Sequence, residues 1–292
     1  MDPPCDRPWR ATHAMLPCAI PVGDDHFRVY FSGRDESGRS SISAGLLSVL
    51  PEPVWLELDG APLLLPGETA AFDGAGVSVS FVTGGEQETE VWYHGWSLGR
   101  DVPWWNSIGL AVGPAGRELR RVSRAPVFDR SEEDPFSLAY PFIVDIGGVE
   151  QLWYSSYRRW ARVGDIPPME YVVKRATRSE SGWISDGEVL SPNPPEIALS
   201  RPCVIQEPDL VKAWFAVKEA SDDLYRIGYA ESTDGNDWDR FDDVGGLVAA
   251  GEGGEVGEVT YPWVVDSGGR RWLFYNGDGY GRTGFGIAVW HD

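Results

Sequence analysis

Five stretches of this 292-residue chain follow one template, and their spacing limits the fold more than composition does. They are "HAMLPCAIPVGDDHFRVYFSGRD", "DGAGVSVSFVTGGEQETEVWYHGW", "SLAYPFIVDIGGVEQLWYSSY", "ALSRPCVIQEPDLVKAWFAVKE" and "GEVTYPWVVDSGGRRWLFYNGDG". Each opens on an anchor residue, Pro17, Val77, Pro141, Pro202 or Pro262, at successive intervals of 60, 64, 61 and 60. A repeat of this period marks an array of like supersecondary units. After each anchor come a short apolar strand, a turn rich in Gly, Asp or Glu, and a strand carrying aromatic pairs: Tyr30 and Phe31, Trp92 and Tyr93, Trp153 and Tyr154, Trp214 and Phe215, Phe274 and Tyr275.

Third strands are predicted at "SSISAGLLSV", "NSIGLAVG", "MEYVVKRATR", "YRIGYAEST" and "GFGIAVW", and fourth strands in four units near Trp55, Leu119, Trp183 and Trp238. Radial repetition of four-stranded antiparallel units leaves few exposed sheet edges. The predicted fold is therefore all-β, a five-bladed β-propeller of four-stranded antiparallel blades, in a single domain over residues 1–292. The terminal "GDGYGRTG" touches a dinucleotide-binding spacing, but a strand follows it and no long helix does, so it reads as the turn between strands of the last unit. That unit ends after its third strand. Either "DRPWRA" around Trp9 completes it or the fourth strand is absent.

The net charge of −20 excludes nucleic acid and anionic membranes as partners, since both demand a basic face. The opening residues lack a basic stretch followed by an apolar one, and a cytoplasmic protein is expected. Three cysteines, Cys5, Cys18 and Cys203, show no zinc spacing, so reduced thiols and no metal or other cofactor are expected.

In such a ring the first strand of each blade lines the axis and the residues before it form one rim. Four residues before the anchors stand His13, Asp73, Ser137, Ala198 and Glu258; one residue before them stand Leu16, Gly76, Tyr140, Arg201 and Tyr261. Asp134 and Glu196 precede their anchors by seven and six. Each carboxylate also fits a turn or a solvated acidic run. Together they supply the paired carboxylates that cleavage of a glycosidic bond requires. Arg201 reads either as a partner for a carboxylate or an anionic substrate group or as a structural ion pair between blades, and His13 as a donor to a sugar hydroxyl. Trp96, Trp104, Trp105 and Trp160 lie in long excursions and suit stacking on sugar faces, whereas the other tryptophans suit packing between blades. Asp278 and Arg282 of the terminal turn join the substrate-binding set.

The stretches "THAMLP", "RVYFSGRDESGRS", "NSIGLAV", "DPFSLAYPF", "SRPCVI", "YRIGYAESTDGNDW" and "YPWVVDSGGRRWLFYNGDGYGRTGFGIA" span nearly the whole sequence. On these the protein resembles the five-bladed β-propeller glycosidase superfamily, with its family 43 arabinanases and xylosidases and family 32 and 68 invertases and levansucrases. More closely, it looks like a group of bacterial glycosidase-like propeller proteins. The resemblance implies an aspartate base on the first blade, a second aspartate tuning pKa and a later glutamate acid. The first-blade position here is His13, so the roles move: Asp73 as base, Asp134 as tuning carboxylate, Glu258 as acid. The expected function is a glycosidase-like enzyme acting, by inversion, on a sugar-linked bond of a small molecule. The alternatives are a non-catalytic carbohydrate-binding propeller and a repurposed isomerase, cyclase or lyase. Neutralising Asp73 or Glu258 is expected to leave the melting temperature almost unchanged, by relief of like-charge repulsion at the rim.

Overall fold

The computed structural model describes residues 1–160, 169–180, 182–221, 224–243 and 257–290. Among the described residues nineteen strands run in five consecutive antiparallel groups. The first holds β1 (Thr12–Gly23), β2 (His26–Arg34), β3 (Ser40–Ser48) and β4 (Val54–Leu58); the second β5 (Gly76–Gly84), β6 (Thr89–Leu98), β7 (Trp104–Gly113) and β8 (Arg120–Arg121). The third holds β9 (Leu138–Ile146), β10 (Val149–Arg159), β11 (Glu170–Ser179) and β12 (Gly182–Leu190); the fourth β13 (Glu196–Gln206), β14 (Val211–Glu219), β15 (Tyr225–Ser232) and β16 (Asp239–Arg240). The last holds β17 (Thr260–Ser267), β18 (Arg270–Asn276) and β19 (Phe285–Val289). Within each group consecutive strands pair, and the inner strands touch in cyclic order, β1 to β5 to β9 to β13 to β17 and back to β1. This is the propeller that the repeat predicts. Single parallel pairs, Ser40 with Gly76 and Tyr171 with Ala198, tie the third strand of one blade to the inner strand of the next.

The ring closes between the fifth blade and the first. The Trp263 indole donates to the Ala19 carbonyl at 2.9 Å, and Ser267 donates to Gly23 at 3.1 Å. Among the described residues the segment around Trp9 makes one backbone bridge, within itself, Arg7 to Arg10, and its Arg10 side chain pairs with Asp59; it is Met1 that exchanges backbone hydrogen bonds with Phe285 on β19.

The aromatic pairs of the second strands form the packing between blades. Trp183 meets Trp92 of the preceding blade edge to face at 6.1 Å, Trp238 meets Trp153 at 5.3 Å, and Trp290 meets Trp214 at 6.0 Å. Such pairs add about 0.5–1.5 kcal/mol each beyond the area they bury.

The anchor prolines have a second role. In β1, β9, β13 and β17 the pairing with the neighbouring strand slips at two residues, Leu16 and Pro17, Tyr140 and Pro141, Arg201 and Pro202, Tyr261 and Pro262. Proline has no N–H for the ladder, so the strand bulges there. The residue before each proline stands at positive φ within the bulge: Leu16 58°, Tyr140 54°, Arg201 47°, Tyr261 54°. Non-glycine residues in this region cost about 1–3 kcal/mol each and concentrate at functional sites. The second blade has Val77 as anchor and pairs regularly there; its slip falls at Ser80.

Cys18 and Cys203 are buried and Cys5 is exposed, all three as free thiols. Burial pushes both inner thiols up to about 12. An alkylating reagent should therefore label only Cys5 in the native protein and all three after denaturation without reductant; a single label under both conditions would show a disulfide.

Candidate active site at the mouth of the ring

The ends of the second strands and the starts of the first and third strands meet at one face, and the bulges turn their residues into it. Tyr140, Arg201 and Tyr261 converge there, as the residues just before three anchors. The Tyr140 and Tyr261 rings stand 5.5 Å apart. Arg201, 2% exposed, reaches across the axis, donating from Nη1 to the Tyr261 carbonyl at 3.0 Å and from Nη2 to the Pro17 carbonyl at 2.7 Å.

The terminal turn completes the mouth. Asp278–Gly281 is a tight turn with Gly279 and Tyr280 left-handed, and Gly281, at φ 80°, packs so closely on β1 that a Cβ would stand 2.8 Å from the Met15 Cα. Only glycine fits that approach. The turn drives Tyr280 inward, where its hydroxyl bonds that of Tyr140 at 2.9 Å and its ring meets Tyr261 edge-on at 5.0 Å. Asn276 at the base of the turn accepts from the Leu16 amide at 2.6 Å and so fixes the first-blade bulge.

From Tyr261 an aromatic wall runs around the rim through Tyr225, Tyr171, Tyr157 and Trp160 to Trp105. Successive ring centroids are 5.3 Å for Tyr225 and Tyr261, 4.5 Å for Tyr157 and Tyr171, 5.0 Å for Tyr157 and Trp160, and 6.1 Å for Trp160 and Trp105. The Tyr171 and Tyr225 hydroxyls share a 2.6 Å hydrogen bond, and Trp104 and Asn106 reach the Tyr157 hydroxyl. Burial raises the Tyr140, Tyr157, Tyr171 and Tyr261 phenols well above their ordinary value, so they stay protonated and able to donate. Trp96 stands apart: its indole donates to Ser40 at 2.9 Å across the joint between the first two blades.

The sequence-selected carboxylates divide into two kinds. Asp73, 1% exposed, accepts from Arg121 at 2.7 Å and from the Tyr93 hydroxyl at 3.1 Å. Asp134, also 1% exposed, accepts from the Tyr154 hydroxyl at 2.8 Å and from Ser156, with the Lys174 ammonium at 2.9 Å. Glu196 is forked by Arg240 at 2.6 and 2.8 Å and bonded by Arg226 at 2.7 Å. Each latches the loop before an inner strand onto the third or fourth strand of the same blade. The expected like-charge repulsion at Asp73 is corrected by this: its neighbours are a guanidinium and a phenol, so neutralising it removes an attraction. Asp73 and Arg121 also line a cavity of about 720 Å³ in the second blade with Gly67, Glu68, Arg124 and Ala125.

Glu258 differs. It is half-buried, has no cationic partner among the described residues, and accepts only backbone amides, Tyr225 N at 3.3 Å and Gly279 N at 2.9 Å; its own amide donates to Asp278. Glu258 and Asp278 thus meet at the terminal turn.

His13 lies on the other side of that turn, left-handed at φ 64°, with Nδ1 2.8 Å from the Thr12 hydroxyl. Burial, then the charges of Arg34 and Arg282, lower its pKa to about 4. His94, on β6, is buried 4.7 Å from the Tyr140 ring, and burial with the charges of Arg201 and Arg34 lowers it to about 3. Both imidazoles are neutral at pH 7. Arg34, at the end of β2, lies over the Tyr280 ring at 5.7 Å. Among the described residues no group of three His, Cys, Asp or Glu side chains is placed to hold a metal ion.

The chain is 36% identical over 284 residues to Uncharacterized protein MT1551 and to Uncharacterized protein Rv1502, both of Mycobacterium tuberculosis, covering 96% of this chain and 93% of each. This chain belongs to their family. No protein-family model matches it. Among solved structures it is similar to a complex of BT0996 with RGII (TM-score 0.74, 14% identity, 98% of this protein and 89% of that one). It is also similar to a structure of the GH130 family of mannoside phosphorylases, which contains glycoside hydrolases that target β-1,2 mannosidic linkages in Candida mannan (0.71, 15%, 97% and 85%). A thermostable family-43 glycoside hydrolase is similar as well (0.65, 15%, 96% and 91%). At these identities the likeness establishes a shared fold, the propeller of glycoside hydrolases.

His94, Arg34, Asn276, Tyr157, Tyr171, Tyr225 and Tyr280 were not singled out by sequence. Tyr171 and Tyr225 open their third strands and Arg34 and Tyr157 close their second strands, so aligning the repeats at those ends would have exposed them.

Proposed function

We propose that this protein is a glycosidase-like enzyme that acts on a glycosidic or other sugar-linked bond of a small molecule at the mouth of the ring. The observation that carries this reading is the continuous wall of protonated tyrosines and tryptophans ending at the turn on which Glu258 and Asp278 meet, with His13 on the neighbouring β1. Aromatic faces stack on sugar rings and phenol hydroxyls donate to sugar oxygens.

In this reading Glu258 is the carboxylate that exchanges a proton with the reacting oxygen, and His13 takes the place that the resemblance gives to an aspartate base. An imidazole lowered to about 4 is as strong a proton acceptor as an ordinary aspartate, near 3.9. It is neutral before it accepts the proton, where a carboxylate would be charged. Asp73 and Asp134 leave the catalytic set and hold the blades.

A second reading, a sugar-binding propeller without turnover, is favoured by one feature: both oxygens of Glu258 are engaged by backbone amides. Measuring binding and turnover of a glycoside panel in parallel, with product masses, separates the two. Water added across the cleaved bond supports hydrolysis. A product of unchanged total mass points to an isomerase, cyclase or lyase, and tight binding without turnover sinks the enzyme reading.

A further inference from the structure

Three arginines of the mouth make no ion pair among the described residues, although Glu258 and Asp278 stand on its terminal turn, in a protein with 45 acidic and 25 basic residues. Arginines elsewhere sit on carboxylates: Arg121 on Asp73, Arg240 on Glu196 and Asp242, Arg271 on Asp266 and Glu207. Arg34, Arg201 and Arg282 have no such partner among the described residues. Arg201 is buried, its bonds go to two neutral carbonyls and the Cys18 sulfur, and its Nε has no partner. The Arg34 Nε is likewise buried without a partner.

Arg34 lies over the Tyr280 ring at 5.7 Å, Tyr280 meets Tyr261 at 5.0 Å, and the Tyr261 carbonyl accepts from Arg201 at 3.0 Å, while Arg282 follows directly on the turn that carries Tyr280. In keeping with this, burial is joined by Arg201 and Arg34 in lowering the pKa of His94, and by Arg34 and Arg282 in lowering that of His13. A buried cation without a counter-ion costs several kcal/mol, and an unmade buried N–H adds to that. His13, neutral at pH 7, leaves the positive field uncancelled, where an aspartate would have cancelled part of it.

We propose that the mouth binds an oxyanion, the carboxylate or phosphate of an acidic sugar, seated against Arg34, Arg201 and Arg282 beside Tyr280. The inference rests on the reading of the mouth as a sugar site and adds the class of sugar. Guanidinium forks match carboxylate and phosphate oxygens in pairs, and the orphaned Nε–H groups of Arg34 and Arg201 are the donors left to be satisfied.

The test is calorimetric titration of the intact protein with glucuronate, glucose 6-phosphate and inorganic phosphate, with glucose as the neutral control. At least one anion is expected to bind about tenfold or more tightly than glucose, and Arg34→Gln or Arg282→Gln to weaken it about tenfold or more. Arg34→Lys is expected to restore part of the affinity. Neither glutamine variant should melt lower than the parent without ligand, because each removes a charge repelled by its neighbours; Arg201 is left intact because it joins three blades. Preference for glucuronate or glucose 6-phosphate over inorganic phosphate upholds the acidic sugar, whereas phosphate binding as tightly as glucose 6-phosphate keeps the oxyanion site and overturns the sugar as its bearer. Anions that bind no better than glucose, or affinity indifferent to both glutamine variants, overturn it. The two proposals fail separately: turnover of glycosides by a protein that binds anions no better than glucose overturns the anion site and leaves the enzyme, whereas tight anion binding without turnover leaves the site and removes the enzyme.

Discussion

Replacing Asp134 with alanine is expected to lower the stability of the folded protein by about 3–5 kcal/mol, the usual cost of removing one partner from a buried ion pair. Asp134 is almost fully buried between the Tyr154 and Ser156 hydroxyls and the Lys174 ammonium. Its loss leaves a cation only 11% exposed at its side chain, with the Glu133 carbonyl at 2.7 Å as the acceptor that remains. The Tyr154 hydroxyl keeps Ser185, at 3.0 Å. Chemical denaturation followed by tryptophan fluorescence measures the loss. A loss below about 1 kcal/mol would place Asp134 with exposed surface pairs and overturn its role as a latch. Asp73→Asn, which removes the charge opposite Arg121, is expected to shift stability in the same direction by less, because Arg121 keeps the Leu65 carbonyl and is 24% exposed, so water can solvate it.

Replacing Glu258 with glutamine is expected to do the reverse: to leave the fold intact and lower turnover of a cleavable glycoside at least about a hundredfold, the lower end of what a positioned proton-transfer group contributes. Glutamine keeps one carbonyl oxygen for the Tyr225 or Gly279 amide, and a half-buried site lets water serve the other. The check is the melting temperature, the affinity and the turnover of the variant measured together. Full activity, or unfolding, would make Glu258 a scaffold residue like Asp134.

The contrast between these two carboxylates shows where sequence stops. Counting back from the anchors treats Asp73, Asp134, Glu196 and Glu258 as equivalent members of one rim, and by chain position they are. What separates them is the presence of Arg121, Lys174 and Arg240 on later strands of the same blades, against no cation beside Glu258 among the described residues. Those partners lie 40 to 48 residues further along, at distances in sequence that no local pattern links.

The sequence by itself determined the architecture. A period near sixty residues with aromatic second strands is repeated five times, on proline anchors in four units, and each repetition independently demands the same antiparallel unit of three or four strands, so errors in any one strand do not alter the ring. It did not locate the bulges: the four proline anchors, read from sequence as the starts of their strands, lie inside β1, β9, β13 and β17, where the missing ladder donor breaks the pairing, and Val77 marks the exception. Only the tertiary structure decided the chemistry of the mouth. Tyr280, His94, Arg34 and Arg201 come from four different blades, and whether a charge is cancelled or left bare depends on which strand ends the closed ring brings within reach of it. That is a property of how the blades pack, which the alternation of residues along each strand does not encode.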